Sequence, residues 1–136
     1  LEEPDIRTYS PLTLAYIGDA VYELVIRTLL VEKGNTQVNK LNQRANRLVK
    51  ASAQSEIIEK LKPCLTEEEM GIFRRGRNAK SYTMAKNATM SDYRRATGFE
   101  ALMGYLYLTE QWERILELVK LGLQEGEEDG EQVPGK

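Results

Sequence analysis

The chain has 136 residues, the size of one ordinary domain, with 41% hydrophobic residues, 29% charged residues and a formal net charge of −2. It contains no histidine and a single cysteine, Cys64, which excludes Ser–His and Cys–His catalysis, histidine-ligated metals and an intramolecular disulfide. Any bound metal would therefore need oxygen ligands, which suit Mg²⁺ or Mn²⁺. We expect a cytoplasmic protein without a signal peptide, and no apolar run reaches the roughly eighteen residues of a transmembrane helix.

Caps and apolar spacing predict an all-α fold, a helical bundle without strands. A first helix is predicted to begin at the Ser10-Pro11 pair and to end at Gly34, which is a typical C-terminal stop. A second helix is expected over 36–49 and a third over 52–61, with Thr and Ser at their first positions as N-caps.

The fourth predicted helix begins with a capping box between Thr66 and Glu69. It is expected to end near Gly76 and to be followed by a loop of 14 residues over 77–90. Loops of that length are usually functional rather than simple connections.

A fifth helix is expected to begin at Ser91 or Asp92, and a sixth covers about 110–123. Residues 125–136 carry five acidic residues and one lysine, a composition that predicts a disordered tail. We therefore expect one helical domain over 1–124 and a disordered acidic tail over 125–136.

Charge is unevenly distributed along the chain. From Lys40 to Arg95 there are 13 lysine or arginine residues against six acidic ones, and from Met70 to Ser91 there are five cations and no acid. Such a segment fits nucleic-acid phosphates, but a solvated helical surface gives the same pattern. Charge alone leaves both interpretations open.

Two predicted helices are apolar nearly all round, yet each contains one acid, Asp19 in the first and Glu100 in the fifth. Such helices are usually central, and a buried carboxylate must be paired, protonated or bound to metal. The alternatives are a metal or acid–base role and a structural ion pair with Arg27, Arg94 or Arg95. Gly18 and Gly104 lie on the same helices, and we expect them to let the two helices cross near their acids, although close packing alone would also explain them.

The segments AYIGDAVYE (15–23) and FEALMGYLYL (99–108) resemble the two catalytic helices of the ribonuclease III family. The segment RRGRNAKS (74–81), the short length and the lack of a second domain resemble its Mini-ribonuclease III branch. The resemblance covers about 10–123. It implies the helical fold of that family's endonuclease domain and hydrolysis of double-stranded RNA that leaves a 5′-phosphate and a 3′-hydroxyl.

The resemblance also implies roles for individual residues. Asp19 and Glu100 match the family's two essential catalytic carboxylates, which bind Mg²⁺, with Mn²⁺ as a substitute. Further family acids correspond to positions that are not acidic here, namely Leu12, Ala15 and Thr97. We therefore expect few protein ligands, a metal shell completed by water, and no clear second metal.

By the same resemblance the protein is expected to be a homodimer that cuts both strands of a duplex and matures the 23S ribosomal RNA precursor. Tyr16 matches an aromatic that inserts into the partner subunit, although a plain core aromatic is the alternative. Glu56 either matches another family acid or is an exposed helix carboxylate.

The segment from Arg74 to Lys86 is expected to bind RNA in place of a separate RNA-binding domain. Its cations would neutralise phosphates, and its amide and hydroxyl side chains would reach phosphate or 2′-OH oxygens. The proposed RNA-binding residues are Arg74, Arg75, Arg77, Asn78, Lys80, Ser81 and Lys86, with Asn87 as a further donor. The alternatives are a solubilising surface loop and an RNA surface elsewhere, at Lys40, Arg44, Arg47 and Lys50.

Two other functions compete with the nuclease. One is a catalytically degenerate, dimeric factor that binds structured RNA on the ribosome, which the missing acids favour and the retained pair disfavours. The other is a helical protein-interaction module, which explains neither the two acids nor the basic segment.

Overall fold

The computed structural model describes the backbone of residues 5–80 and 89–131 and the side chains as far as Gln124. Within these ranges the chain is all-α, as predicted, without a strand. None of the described helices is long and apolar enough to cross a membrane. The helices in chain order are α1 (Pro11–Glu32), α2 (Val38–Val49), α3 (Ala51–Leu61), α4 (Glu67–Asn78), α5 (Met90–Leu108) and α6 (Trp112–Glu131), with short 3₁₀ turns at Ile6–Thr8 and Lys62–Cys64.

Two of the predicted helix starts are confirmed in detail. The Ser10 hydroxyl accepts a hydrogen bond from the Leu12 amide at the start of α1, and Gly34, with φ of 135°, follows its end. At the start of α4 the capping box is complete, because the Thr66 hydroxyl accepts from the Glu69 amide and the Glu69 carboxylate accepts from the Thr66 amide. These ends are determined by neighbouring residues alone.

Three predicted N-caps are wrong by a few residues. Thr36 does not cap α2, which begins at Val38, and Ser52 lies inside α3, which begins at Ala51. The cap of α5 is Thr89, whose hydroxyl accepts from the Asp92 amide, so neither Ser91 nor Asp92 is the cap. Each of these regions offers several residues with similar capping ability, and local sequence does not discriminate among them.

The predicted end of α4 at Gly76 is wrong, because the helix continues to Asn78. Gly76 is required by packing rather than by a helix end. A Cβ there would lie 2.8 Å from the Cβ of Ala101 and 2.9 Å from the Cα of Gly98 on α5. The first part of the predicted basic loop is therefore the last turn of a helix.

The predicted end of α6 near Leu123 is also wrong, since the helix continues to Glu131. The backbone of residues 125–131, which belong to the predicted tail, thus continues α6. Residues 132–136 of that tail lie outside the described part of the chain.

Helix α5 is the centre of the fold and packs against α1, α3, α4 and α6. Its residues from Ala96 to Leu106 are buried apart from Glu100, which is half-buried, and this confirms the prediction of a central helix. The prediction for α1 is only partly right. One face packs on α5, but a stripe of apolar side chains on the other face is exposed, namely Leu12, Tyr16, Leu24 and Val31.

The backbones of α1 and α5 touch where they cross, as the two glycines predicted. A Cβ on Gly18 would overlap the carbonyl oxygen of Glu100, and a Cβ on Gly104 would overlap that of Leu14. Because main-chain atoms form both sides of this contact, no side-chain movement can remove the overlap that a residue larger than glycine would cause. The crossing places Asp19, the residue after Gly18, beside Glu100.

We expect Gly18→Ala to destabilise the fold by more than the usual overpacking cost of about 1–3 kcal/mol. The matched control is Gly71→Ala, also within a helix, where an added Cβ would meet nothing within 4 Å. That control should gain about 0.5–1 kcal/mol because alanine favours helix over glycine. Urea unfolding at one fixed protein concentration measures both, and equal stability of the two variants would contradict the crossing.

Candidate active site

A groove of about 670 Å³ runs between α1 and α5 at their crossing. We call it the α1/α5 groove. Both acids singled out in the sequence, Asp19 and Glu100, lie in it. Its other lining residues are Leu12, Ala15, Tyr16, Ile17 and Ala20 on α1 and Tyr93 and Thr97 on α5. The structure therefore brings the two carboxylates together from residues 81 positions apart in the chain.

The two groove carboxylates differ in their surroundings. Glu100 is half-buried, whereas Asp19 is exposed, so the prediction that both are buried is wrong for Asp19. Loss of solvent raises the pKa of Glu100 to about 8, and the negative charge of Asp19 and a hydrogen bond between the two carboxyl groups add to the shift. Ionised Glu100 is therefore costly unless a positive charge compensates it.

The ion-pair alternative fails among the described residues. Arg95 binds Glu59 at 3.1 Å, and Arg27 binds Glu23 at 3.0 Å. None of the ion pairs within 5–80 and 89–124 includes either groove carboxylate, and Arg94 is exposed without a recorded pair. Neutralisation by arginine is thus not what keeps the two acids together.

The donor set fits a hard divalent cation. Two carboxylates that repel each other provide oxygen ligands and negative charge without a competing cationic side chain from the described residues. The three positions predicted to lack family acids, Leu12, Ala15 and Thr97, all line the same groove. The described part of the chain contains no group of three or more histidine, cysteine, aspartate or glutamate side chains that could hold a metal ion. Water would therefore complete the metal shell.

One residue of the site, Gln54 on α3, is not predicted from the sequence. Its side chain is buried with 2% exposure, and its Nε2 donates to the Glu100 Oε2 at 3.2 Å and to the Val49 carbonyl at 2.7 Å. A signal was available, because Gln54 precedes Ile57, Ile58 and Leu61 on the same buried face of α3. A polar residue on such a face needs a specific partner.

Tyr22 supports the same region from α1. Its hydroxyl donates to the Leu48 carbonyl at 2.7 Å, and its ring meets Phe99 edge to face at 5.1 Å. Burial, and then the charge of Glu100, raise the pKa of Tyr22, so it stays a neutral donor. Tyr22 and Gln54 thus donate to two consecutive carbonyls at the end of α2, those of residues 48 and 49.

The predicted RNA-binding residues on α4 are not equivalent. The Arg75 guanidinium donates to the main-chain carbonyls of Arg7 and Tyr9 at 3.0 and 3.1 Å, so it anchors the N-terminal segment. Arg77 donates to the Asn78 side chain at 3.1 Å. These contacts give structural tasks to part of the basic segment.

Other members of that segment face solvent. Arg74 and Lys80 are exposed and form no recorded ion pair with a described residue. Ser81, Lys86 and Asn87, which complete the predicted set, lie outside the described residues.

Tyr16 and Glu56 both face solvent. Tyr16 is 83% exposed, which excludes the interpretation as a core aromatic. Glu56 is exposed on α3 and is not among the residues that line the α1/α5 groove. The alternative of an exposed helix carboxylate therefore describes Glu56.

Comparison with known proteins identifies the family of this chain. The protein-family model described as the Ribonuclease III domain matches residues 12–111 of this chain. Mini-ribonuclease 3 of Clostridium tetani is 51% identical over 128 residues, which are 93% of this chain and 85% of that protein. Mini-ribonuclease 3 of Streptococcus pneumoniae is 46% identical over 125 residues, 90% of this chain and 98% of that protein. The crystal structure of protein FN1578 from Fusobacterium nucleatum superposes with a TM-score of 0.80 at 34% identity, covering 91% of this chain and 99% of that one.

The helical fold and the match over both carboxylate-bearing helices define a ribonuclease III domain. The chain belongs to the ribonuclease III family and, within it, to the Mini-ribonuclease 3 group. This confirms the resemblance seen around Asp19 and Glu100. The protein is therefore an endoribonuclease of the ribonuclease III type.

Proposed function

We propose that the protein hydrolyses double-stranded RNA with one divalent cation, Mg²⁺ or Mn²⁺, held between Asp19 and Glu100. The observation that carries this proposal is the pairing of two carboxylates in one groove without a positive side chain from the described residues. The chain has no histidine, so proton transfer through an imidazole is impossible. The products are a 5′-phosphate and a 3′-hydroxyl.

The two carboxylates have different tasks in this proposal. Asp19 is exposed, so a cation held by its carboxylate would be accessible to an incoming phosphate. Glu100 is half-buried, and Gln54 on α3 holds its carboxylate. Glu100 must be ionised to bind metal, so proton loss from its carboxyl group accompanies loading. A cation held by Asp19 and Glu100 would lower the pKa of a water molecule and would stabilise negative charge at the reacting phosphorus.

We infer that the protein works as a homodimer joined through α1. The exposed side chains Leu12, Tyr16, Leu24 and Val31 follow helical spacing and form one apolar stripe along this helix. Apolar stripes of this kind are usually covered by a partner. A second copy would bring a second groove, which suits the cutting of both strands of a duplex.

RNA contacts are proposed for the exposed end of α4 and the residues that follow it. Arg74 and Lys80 are exposed, and Lys86 adds a third cation. Arg77, Asn78 and Ser81 would contribute polar contacts, whereas Arg75 is engaged with main-chain carbonyls. The particular substrate that we propose, a stem of the 23S ribosomal RNA precursor, is supported by the family resemblance, and the cytoplasm is where that substrate is found.

We expect Asp19→Asn and Glu100→Gln each to lower cleavage of a perfect RNA duplex by orders of magnitude in the presence of Mg²⁺. Both changes keep side-chain shape and remove a charged metal ligand. Folding should survive, because Glu100→Gln also removes charge repulsion at the groove. Duplex affinity should change far less, because phosphate contacts elsewhere provide most of it.

Glu56→Gln is the matched control, because Glu56 is an exposed carboxylate outside the groove. It should cleave like the wild type. Near wild-type cleavage by Glu100→Gln would contradict the metal site. Duplex binding by the wild type without any Mg²⁺-dependent cleavage would instead favour the degenerate RNA-binding factor.

Tyr16→Ala should shift the protein from dimer to monomer and reduce cleavage with it. An aromatic at the centre of an interface contributes about 2 kcal/mol or more. Tyr107→Ala is the control, since Tyr107 is an exposed tyrosine on α5 outside the α1 stripe. Sedimentation velocity over a range of concentrations measures the equilibrium, and a monomeric wild type at micromolar concentration would rule out the dimer.

Replacing Arg74, Lys80 and Lys86 by Gln should weaken duplex binding and flatten its dependence on salt. Each lost phosphate contact lowers the slope of log affinity against log salt by about one. Arg75→Gln is the contrasting variant, expected to lower thermal stability while leaving the salt slope unchanged. An unchanged slope in the triple variant would point to the other exposed cations, on and after α2, at Lys40, Arg44, Arg47 and Lys50.

A further inference from the structure

Gln54 is a buried amide on a face of α3 that otherwise packs as core. It is 2% exposed, and Ile57, Ile58 and Leu61 share its face with exposures of 0–4%. A leucine or methionine of similar size would fill this position without burying polar atoms. Packing therefore does not explain why an amide lies here.

The hydrogen bonds determine which way the amide faces. Nε2 donates both of its hydrogens to acceptors, one to the Val49 carbonyl at 2.7 Å and one to the Glu100 Oε2 at 3.2 Å. The flipped amide would place its oxygen against these two acceptors, so the orientation follows from the network. The remaining oxygen, Oε1, is buried and accepts no hydrogen bond from any residue that the structure describes.

That unpaired Oε1 counts against a role in stability. A buried acceptor without a donor weakens a fold, and both of the amide's bonds are made by Nε2 alone. The favourable contribution of Gln54 is thus concentrated at two acceptors, of which one belongs to the candidate metal site.

We propose that Gln54 is a positioning residue for the metal site, one that holds the Oε2 atom of Glu100 and leaves its other oxygen for the cation shared with Asp19. This inference rests on the proposed metal-dependent function. Glu100 is one of the two protein ligands in the groove, so the orientation of its carboxylate determines much of the site's affinity. Residues that orient metal ligands typically change affinity by about 10- to 100-fold when mutated.

The second acceptor explains how the amide itself is held. Val49 is the last residue of α2, and its carbonyl anchors Nε2 at the junction between α2 and α3. A competing explanation is that Gln54 only joins these two helices. If Gln54 positions Glu100, metal affinity depends on the amide. If Gln54 only joins α2 and α3, stability depends on the amide and metal affinity does not.

The test is Gln54→Met, which keeps the length and volume of the side chain and removes the donor. Mn²⁺ binding to the RNA-free protein, measured by electron paramagnetic resonance, should weaken by about tenfold or more. The Mg²⁺ concentration for half-maximal cleavage should rise in parallel, with the KM for duplex RNA unchanged. Gln54→Leu is the second variant, in case Gln54→Met folds poorly.

Ser55→Ala is the matched control, because Ser55 is the buried neighbour whose hydroxyl accepts from Arg95 and forms no hydrogen bond with the groove carboxylates. It should bind Mn²⁺ like the wild type. A loss of Mn²⁺ affinity in Ser55→Ala as large as that in Gln54→Met would overturn the proposal, because the loss would then not depend on the hydrogen bond to Glu100.

Wild-type Mn²⁺ affinity in Gln54→Met together with a lowered melting temperature would also overturn it, in favour of a joint between α2 and α3. Asp19→Asn and Glu100→Gln separate this failure from failure of the proposed function. If those two variants lose Mn²⁺ binding and Gln54→Met does not, only the role of Gln54 is wrong. If all three bind Mn²⁺ and cleave RNA normally, the metal site itself is wrong.

Discussion

The main-chain contact between α1 and α5 is the constraint on which the rest of the structure depends. Because Gly18 and Gly104 have no side chains, the two helices approach until their backbones touch. Asp19 follows Gly18 directly, and the Glu100 carbonyl is part of the contact, so the distance between the two acids is determined by the crossing. The close packing of α1 on α5 therefore also determines the geometry of the candidate site.

This crossing opposes the ionisation of Glu100. Burial and the neighbouring Asp19 raise the pKa of Glu100 to about 8, and the amide of Gln54 offsets only part of that rise. Since a carboxyl with a raised pKa favours its protonated form in the folded state, its contribution to stability is present at low pH and is lost as pH rises towards 8. A divalent cation would reverse this penalty, which explains how two mutually repelling acids are useful at one place.

Sequence reasoning succeeded where local patterns decide and failed where distant contacts do. The Ser10 cap, the Thr66 capping box and the central position of α5 follow from neighbouring residues and helical periodicity. A glycine in the position of Gly76 predicts a helix end, because its packing against α5 is a contact between residues far apart in sequence. Charge alone places Arg75 among the phosphate-binding cations, because its actual partners belong to the N-terminal segment.

The exposed stripe of α1 connects the proposed dimer to the proposed chemistry. Tyr16 belongs both to this stripe and to the lining of the groove that contains Asp19. A partner subunit that covered Tyr16 would therefore border the candidate metal site as well, and would exclude water from one side of it. Leu12 and Ala15, the positions where the family has further acids, lie along the same helix. They would then form an apolar wall beside the cation. In such surroundings a lower effective dielectric constant would strengthen the Coulomb attraction between the two carboxylates and a cation that keeps its water ligands.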